Sequence, residues 1–83
     1  MRLLLLGTAA CHLCEQSEAI IRDYLRSDFE RMIEKVDIAE QTQWQAEYAI
    51  RIPVLYAPQT HHALAWPFEA GDVEAFINAT REG

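Results

Sequence analysis

Two cysteines at the start of an expected helix are the residues best suited to covalent chemistry in this sequence. Cys11 and Cys14 follow a short apolar run and a loop of small residues. Their three-residue spacing, across the first turn of a helix, brings the two sulfur atoms near bonding distance, so a bridge can open and close without large backbone motion. The pair therefore predicts thiol–disulfide exchange, with metal binding as the alternative.

The position of each cysteine along the helix predicts its role. We expect Cys11 at the exposed N-terminal end, where unpaired N–H groups and the helix dipole lower a thiol pKa below its usual value of about 8.5. We expect Cys14 to be more shielded, one turn further in. Cys11 then attacks a substrate disulfide, and Cys14 resolves the mixed disulfide. A protonated His12 would stabilise the Cys11 thiolate further, and the alternative for His12 is a solvated loop residue.

A metal site would have to recruit two histidines. His61 and His62 would complete a Cys₂His₂ set with Cys11 and Cys14, a combination typical of zinc. Both histidines fall on an expected strand, and adjacent strand residues point to opposite faces of a sheet. They cannot converge on one ion without distortion, so we expect no metal.

Seven elements, in the order β-α-β-α-β-β-α, are predicted from the hydrophobic pattern. Strands are expected at 3–6, 32–38, 53–57 and 61–66, and helices at 12–27, 39–49 and from 71 onward. A helical crossover makes the first two strands parallel, and the turn at 58–60 makes the last two a hairpin. The predicted fold class is α/β, a mixed four-stranded sheet flanked by helices.

Several side chains near these elements have packing interpretations. Trp44, Tyr48 and Trp66 are expected in or beside the core and not in a cofactor site. Asp37, at the end of the second strand, is expected to cap the following turn. Phe68 has two interpretations, an exposed apolar rim for docking partners or a cap over the last helix.

Length and composition limit the classes of protein to which this sequence can belong. The chain has 83 residues, 51% apolar and 24% charged, which predicts one folded domain over 1–83 and excludes a disordered segment. Its net charge of −6 would repel a phosphate backbone, so nucleic acid is not an expected partner. Two cysteines are too few for a disulfide scaffold.

The N-terminal residues superficially look like a lipoprotein signal, with Arg2, an apolar run at 3–6 and small residues before Cys11. A signal peptide needs about 15–30 residues, and ten precede Cys11. No apolar run approaches the ~18 residues of a membrane span. We therefore expect a cytoplasmic protein without membrane contact, in a compartment where a cysteine pair is more often catalytic or metal-binding than structural.

With the C-x-x-C pair at a strand–helix junction, the sequence resembles the thioredoxin superfamily, and within it the glutaredoxin-like branch of small bacterial proteins. The resemblance covers nearly the whole chain. Its second landmark is residues 51–55, Arg-Ile-Pro-Val-Leu, which are similar to the family segment with a cis proline at the start of the third strand. The resemblance implies that Pro53 faces Cys11 and Cys14 and that the backbone of Ile52 pairs with a bound thiol substrate.

Departures from the family pattern bear on the branch and on the substrate. The residues between the cysteines are His-Leu, where thioredoxins have Gly-Pro and typical glutaredoxins Pro-Tyr. Leu5 stands where thioredoxins bury an acid below the disulfide. Phe68 and Glu69 stand where a glutaredoxin has the double glycine on which glutathione rests. Despite these departures, the resemblance implies glutathione as a possible co-substrate, and no resident cofactor is expected.

Three functions are open at this point. The leading one is a monomeric dithiol oxidoreductase that exchanges electrons with protein or small-molecule disulfides and is recycled by a cellular reductant. The second is a metal module in which the same cysteines hold zinc or a cysteine-ligated cluster shared across a dimer. The third is a redox-inert adaptor that keeps the fold without turnover.

Overall fold

Four strands form one mixed sheet in the computed structural model, which describes residues 1–8, 11–40 and 51–82. The strands are β1 (Leu3–Gly7), β2 (Ile33–Asp37), β3 (Val54–Ala57) and β4 (His62–Ala65), and they lie in the order β2-β1-β3-β4. β1 is parallel to β2 and antiparallel to β3, and β3 is antiparallel to β4. The predicted parallel pair and the predicted hairpin are both confirmed.

The helices are α1 (His12–Leu25), α2 (Phe29–Met32) and α3 (Ala70–Glu82), with a 3₁₀ turn over Arg26–Asp28. α1 was expected to reach about residue 27, but the α-helix ends at Leu25 because Arg26 adopts a positive φ of 54°. The short α2 was not predicted. It forms where Phe29 and Met32, three residues apart, can both be buried.

The helix predicted over 39–49 lies mostly outside the described residues, and so do Trp44 and Tyr48. Its first two positions, Ala39 and Glu40, are described and form a turn, so the prediction is wrong for them. Asp37 explains the turn, because its Oδ1 accepts a hydrogen bond from the Ala39 N–H at 2.9 Å. The capping role predicted for Asp37 is confirmed.

Apolar side chains pack on both faces of the sheet. The larger cluster lies on the face covered by α1 and α3 and contains Leu3, Leu5, Ile21, Leu25, Phe29, Met32, Ile33, Leu55, Ala57, Phe68, Val73 and Ile77. The smaller cluster contains Leu6, Val36, Ile38 and Val54. β1 contributes to both clusters, which explains why its sequence is a continuous apolar run and not an alternating one.

The sheet register places the end of β1, which precedes Cys11 in the sequence, beside the start of β3. Leu6 of β1 pairs with Val54 at the beginning of β3. The end of β1 and the residues preceding β3 therefore meet at one edge of the sheet.

Among the described residues, no helix has the length and apolar character needed to cross a membrane.

Candidate active site

Cys11 and Cys14 form a disulfide, with their Cα atoms 5.1 Å apart. Cys11 is the N-cap of α1: its backbone is extended, and its Sγ accepts a hydrogen bond from the Cys14 N–H at 3.0 Å. The sulfur thus occupies the place usually taken by a serine, threonine or aspartate oxygen. A thiolate on Cys11 would find a backbone donor and the positive end of the helix dipole already in position.

Cys11 and Cys14 are both half-buried in the bridged protein, and the bridge holds both sulfurs together beside a groove. The expectation that Cys14 is the more shielded of the two stays a prediction. What separates them is their contacts: Cys11 accepts an amide hydrogen bond, whereas the Cys14 side chain packs against Gly7.

His12 is exposed at the first position of α1. Its side chain is 92% accessible, and its Nδ1 lies 3.6 Å from Oε2 of Glu15. This contact directs the imidazole toward a neighbouring carboxylate, in agreement with the solvated alternative. The role of His12 at the Cys11 thiolate or a substrate stays a prediction.

Pro53 is fully buried, and the Ile52–Pro53 bond is cis, which confirms the geometry that the resemblance implied. The carbonyl of Pro53 accepts a hydrogen bond from the Trp66 N–H at 3.0 Å, so the start of β3 is fixed to the end of β4. Ile52 is half-buried beside the smaller core cluster. Its pairing with a substrate stays a prediction. A second cis bond, Trp66–Pro67, was not predicted.

Phe68 is not an exposed rim, and that interpretation is wrong. The ring is 3% accessible and stands edge-on to Trp66 with centroids 5.1 Å apart. It belongs to the same cluster as Val73 and Ile77 of α3, so it packs beneath the last helix, as the alternative interpretation held. The physical reason is the apolar stripe of α3, because burying an aromatic ring against it removes a large apolar area from water.

A groove of about 590 Å³ extends from the two cysteines along α1 toward β2. Leu5 and Val36 provide its apolar part, and the charged residues along it are Glu15, Glu18, Arg22, Lys35 and Asp37. Leu5 places a hydrocarbon side chain where the thioredoxin pattern has a carboxylate. The acidic groups of this site therefore come from α1 and from the end of β2.

Both cations of the groove are held by Glu18. Its carboxylate accepts hydrogen bonds from Arg22 at 3.0 Å and from Lys35 at 3.3 Å, and Arg22 also reaches Glu30 at 3.1 Å. The Arg22 hydrogen bond lowers the pKa of Glu18 below its ordinary value of about 4.5, outweighing the upward effect of partial burial. With these charges paired, Glu15 and Asp37 leave the mouth of the groove acidic.

The histidines of the proposed zinc set lie far along the hairpin from the cysteines. His62 pairs with Ala57, whereas Val54, next to Pro53, pairs with Ala65 at the other end of β4. His61 instead meets the hydroxyl of Tyr56, with Nδ1 2.9 Å from the oxygen. This placement excludes a site formed by both cysteines and both histidines. Within the described ranges, no group of three or more His, Cys, Asp or Glu residues could hold a metal ion.

The sequence reasoning missed three contributors to the site. Gly7 ends β1 directly against Cys14, and Ser17, fully buried, donates its hydroxyl to the Cys14 carbonyl at 2.8 Å. The third is the Glu18 network, for which the four-residue spacing of Glu18 and Arg22 was an available signal. A glycine at the end of a strand was a signal for Gly7, as a place of close approach.

Comparison with known proteins points to the same branch. A family model described as Glutaredoxin-like domain (DUF836) matches residues 2–78. The X-ray structure of protein XcR50 from X. campestris is 30% identical, with a TM-score of 0.71, and the match covers 93% of this chain and 96% of that chain. The NMR structure of protein Ne2328 from Nitrosomonas europaea is 25% identical, with a TM-score of 0.73, covering 90% of this chain and 88% of that chain.

A more distant match shows how general the fold is. Thioredoxin 1 from Thermosipho africanus TCF52B is 19% identical, with a TM-score of 0.69 and coverage of 99% of this chain and 96% of that chain. None of the curated proteins matches this chain. The strand order, the C-x-x-C pair at the start of α1 and the family match over residues 2–78 agree, and the chain belongs to the glutaredoxin-like (DUF836) family, with a thioredoxin-like fold.

Proposed function

We propose that this protein is a dithiol–disulfide oxidoreductase that reduces disulfides of proteins or small thiol compounds. The observation that carries the proposal is the Cys11–Cys14 bridge at the N-terminus of α1, with Sγ of Cys11 accepting the Cys14 amide. The helix N-terminus and a backbone N–H donor stabilise a thiolate in that position, and the thiolate is the reactive form. Family membership supports the same assignment.

The proposed reaction conserves sulfur, protons and electrons within two exchanges. The Cys11 thiolate attacks one sulfur of a substrate disulfide, forming a mixed disulfide and releasing the first substrate thiolate. Cys14 loses its proton and attacks Sγ of Cys11, forming the internal bridge and releasing the second thiolate. The two released thiolates take up the proton lost by Cys14 and one proton from solvent, into which Cys11 lost its own on ionising, so the substrate gains two electrons and two protons while the dithiol of the protein is oxidised to the disulfide.

We propose that two surfaces beside Cys11 contact the substrate. On one side, the backbone of Ile52 before the buried Pro53 is proposed to pair with a substrate segment as a short added strand. On the other side, the acidic mouth of the groove, with Glu15 and Asp37, favours substrates whose cysteine is flanked by neutral or basic groups. We propose a monomer acting in the cytoplasm, where thiols are kept reduced.

The reductant of the bridge is proposed to be a cellular thiol. Glutathione fits as a co-substrate in solution, with two molecules reducing the bridge and leaving as glutathione disulfide. A docked glutathione at the start of α3 has less support, because the Glu69 N–H already donates to the carboxylate of Asp72 at 2.9 Å. That carboxylate would also repel those of the tripeptide.

A disulfide reduction assay tests the proposal against both alternatives. With dithiothreitol as the terminal reductant, catalytic amounts of the protein should accelerate the reduction of insulin, and the Cys11→Ser variant should not. Absence of acceleration by the wild-type protein would support the redox-inert adaptor. Stoichiometric zinc, or visible absorbance of an iron–sulfur cluster, in freshly purified protein would support the metal module instead.

A further inference from the structure

We infer that Gly7 is a positioning residue for Cys14, because the absence of a Cβ at Gly7 leaves the space in which the sulfur of Cys14 lies in the bridged protein. A Cβ placed on Gly7 would lie 2.7 Å from Sγ of Cys14 and 3.3 Å from its Cβ. Real Cβ atoms essentially never approach a non-bonded heavy atom beyond the neighbouring residues to within 3.0 Å. This inference rests on the proposed function, since it concerns the same cysteine pair.

Neither backbone is free to relieve this contact. Gly7 is paired in the sheet with Asp37, and its carbonyl accepts the Ile38 N–H at 2.9 Å. The Cys14 carbonyl accepts the hydroxyl of the fully buried Ser17 at 2.8 Å, which fixes the first turn of α1. A methyl group at position 7 would therefore have to displace the sulfur itself.

The sulfur can move in one redox state more easily than in the other. In the bridged protein, Sγ of Cys14 is bonded to Cys11, so a rotation about the Cα–Cβ bond of Cys14 would break the bridge geometry. In the dithiol protein that rotation is free to place the sulfur in another staggered position. An alanine at position 7 should consequently destabilise the bridged form more than the dithiol form, and the bridge should become easier to reduce.

The chain provides a matched control in Gly71. A Cβ on this exposed glycine, in the first turn of α3, would meet no heavy atom within 4 Å. Gly71→Ala adds the same methyl group to the chain without touching Cys11 or Cys14. The two substitutions therefore separate a local effect on the sulfur from a general effect of replacing glycine.

The test is the thiol–disulfide equilibrium of each variant in buffers of reduced and oxidised dithiothreitol, read by alkylation and mass spectrometry. For Gly7→Ala, the equilibrium constant for bridge formation should fall by about tenfold or more, equal to about 30 mV for a two-electron couple. Gly71→Ala should match the wild type. An unchanged equilibrium in Gly7→Ala would overturn the inference.

A second pair of variants covers the case in which Gly7→Ala does not fold. Cys14→Ala removes the sulfur that the added methyl group would meet, so Gly7→Ala should fold in that background with a much smaller loss of unfolding free energy. A loss as large as in the presence of Cys14 would show that Gly7 serves the sheet and not the sulfur, and would overturn the inference.

This equilibrium is measured without a protein substrate, so the two proposals can fail separately. A wild-type protein that forms the bridge but does not accelerate insulin reduction would contradict the proposed function while the shift in Gly7→Ala still stands. An active wild-type protein with an unshifted Gly7→Ala would contradict the role of Gly7 alone. A wild-type protein that forms no bridge would overturn both.

Discussion

At the N-termini of both α1 and α3, a side-chain atom accepts a hydrogen bond from a backbone N–H group, but the accepting atom differs. At α3, the carboxylate of Asp72 reaches back three residues and accepts the Glu69 N–H at 2.9 Å. At α1, across the same spacing, the sulfur of Cys11 accepts the Cys14 N–H at 3.0 Å. Both arrangements satisfy a backbone donor that a helix start leaves without a partner.

The difference lies in what the capping atom can do next. The carboxylate of Asp72 only caps, whereas in the proposed function the sulfur of Cys11 changes its charge and its covalent partner with redox state. We propose that the helix start contributes to stability at α3 and to the reactivity of Cys11 at α1. Replacing the Asp72 carboxylate should therefore affect the stability of the protein, whereas replacing the Cys11 sulfur should affect its redox chemistry.

The largest expected effect is that of Cys11→Ser on disulfide exchange. Serine keeps an oxygen able to cap α1 but lacks a nucleophile that ionises near neutral pH, so insulin reduction should fall by about a thousandfold or to background. The unfolding free energy of the reduced protein should change by less than about 1 kcal/mol, because serine is a good N-cap. Turnover and urea unfolding under dithiothreitol measure the two quantities. Retention of a tenth of the activity would contradict the nucleophile assignment.

The next effect concerns the relative reactivity of the two thiols. In the reduced protein at about pH 6.5, iodoacetamide should label Cys11 about tenfold faster than Cys14, because the amide donor and the helix dipole act first on Cys11. Peptide mapping after short labelling times gives the two rates, and denatured protein provides the control in which they converge. Equal rates in the folded protein, or faster labelling of Cys14, would reverse the roles.

At the other helix start, Asp72→Ala should cost stability and leave the chemistry intact. Loss of the carboxylate that caps the Glu69 amide should lower the unfolding free energy by about 1 kcal/mol. Asp72→Asn, which retains an acceptor, should lose less. Urea unfolding measures both variants, and insulin reduction should stay at the wild-type rate. A substantial fall in that rate would link the start of α3 to substrate binding and break the comparison between the helices.

The smallest effect is the pH dependence introduced by Glu18. A carboxyl group whose pKa is lower in the folded than in the unfolded state adds stability above about pH 4.5 and loses it as the pH falls through the folded value. Glu18→Gln should therefore cost about 0.5 kcal/mol at neutral pH, as expected for a partly exposed ion pair, and less near pH 3. Urea unfolding at both pH values tests this, with the exposed Glu74→Gln as control. A cost that does not shrink in acid would contradict the account.

The elements and the site differ in how much the sequence could predict. The apolar run of β1 and the C-x-x-C pair are local signals, and they correctly predicted a strand, a helix start and two sulfur atoms near bonding distance. The buried position of Phe68 was open in the sequence, because a lone aromatic residue before a helix can face either water or the core. The burial of Phe68 depends on its packing against α3, and the spacing of residues along the sequence does not give the distance between the ring and that helix.

Two other features could not be predicted from the sequence, for related physical reasons. The end of α1 follows from the positive φ of Arg26, a conformation for which the sequence carries no glycine signal. The role inferred for Gly7 follows from the close approach of a strand end to a helix turn, where an added Cβ would lie 2.7 Å from Sγ of Cys14, and only the packed structure reveals this proximity. Local patterns indicated the candidate reactive residues, whereas the contacts that hold them in place depend on tertiary packing.

The measurement that tests the central claim most directly is the trapping of the mixed disulfide. Reduced Cys14→Ser protein, mixed with the neutral bis(2-hydroxyethyl) disulfide, should form one covalent adduct per chain, located on Cys11 by peptide mapping and released by dithiothreitol. The wild-type protein under the same conditions should end as the Cys11–Cys14 bridge without adduct. An unmodified Cys14→Ser chain beside a fully bridged wild-type chain would contradict the claim that Cys11 attacks and Cys14 resolves.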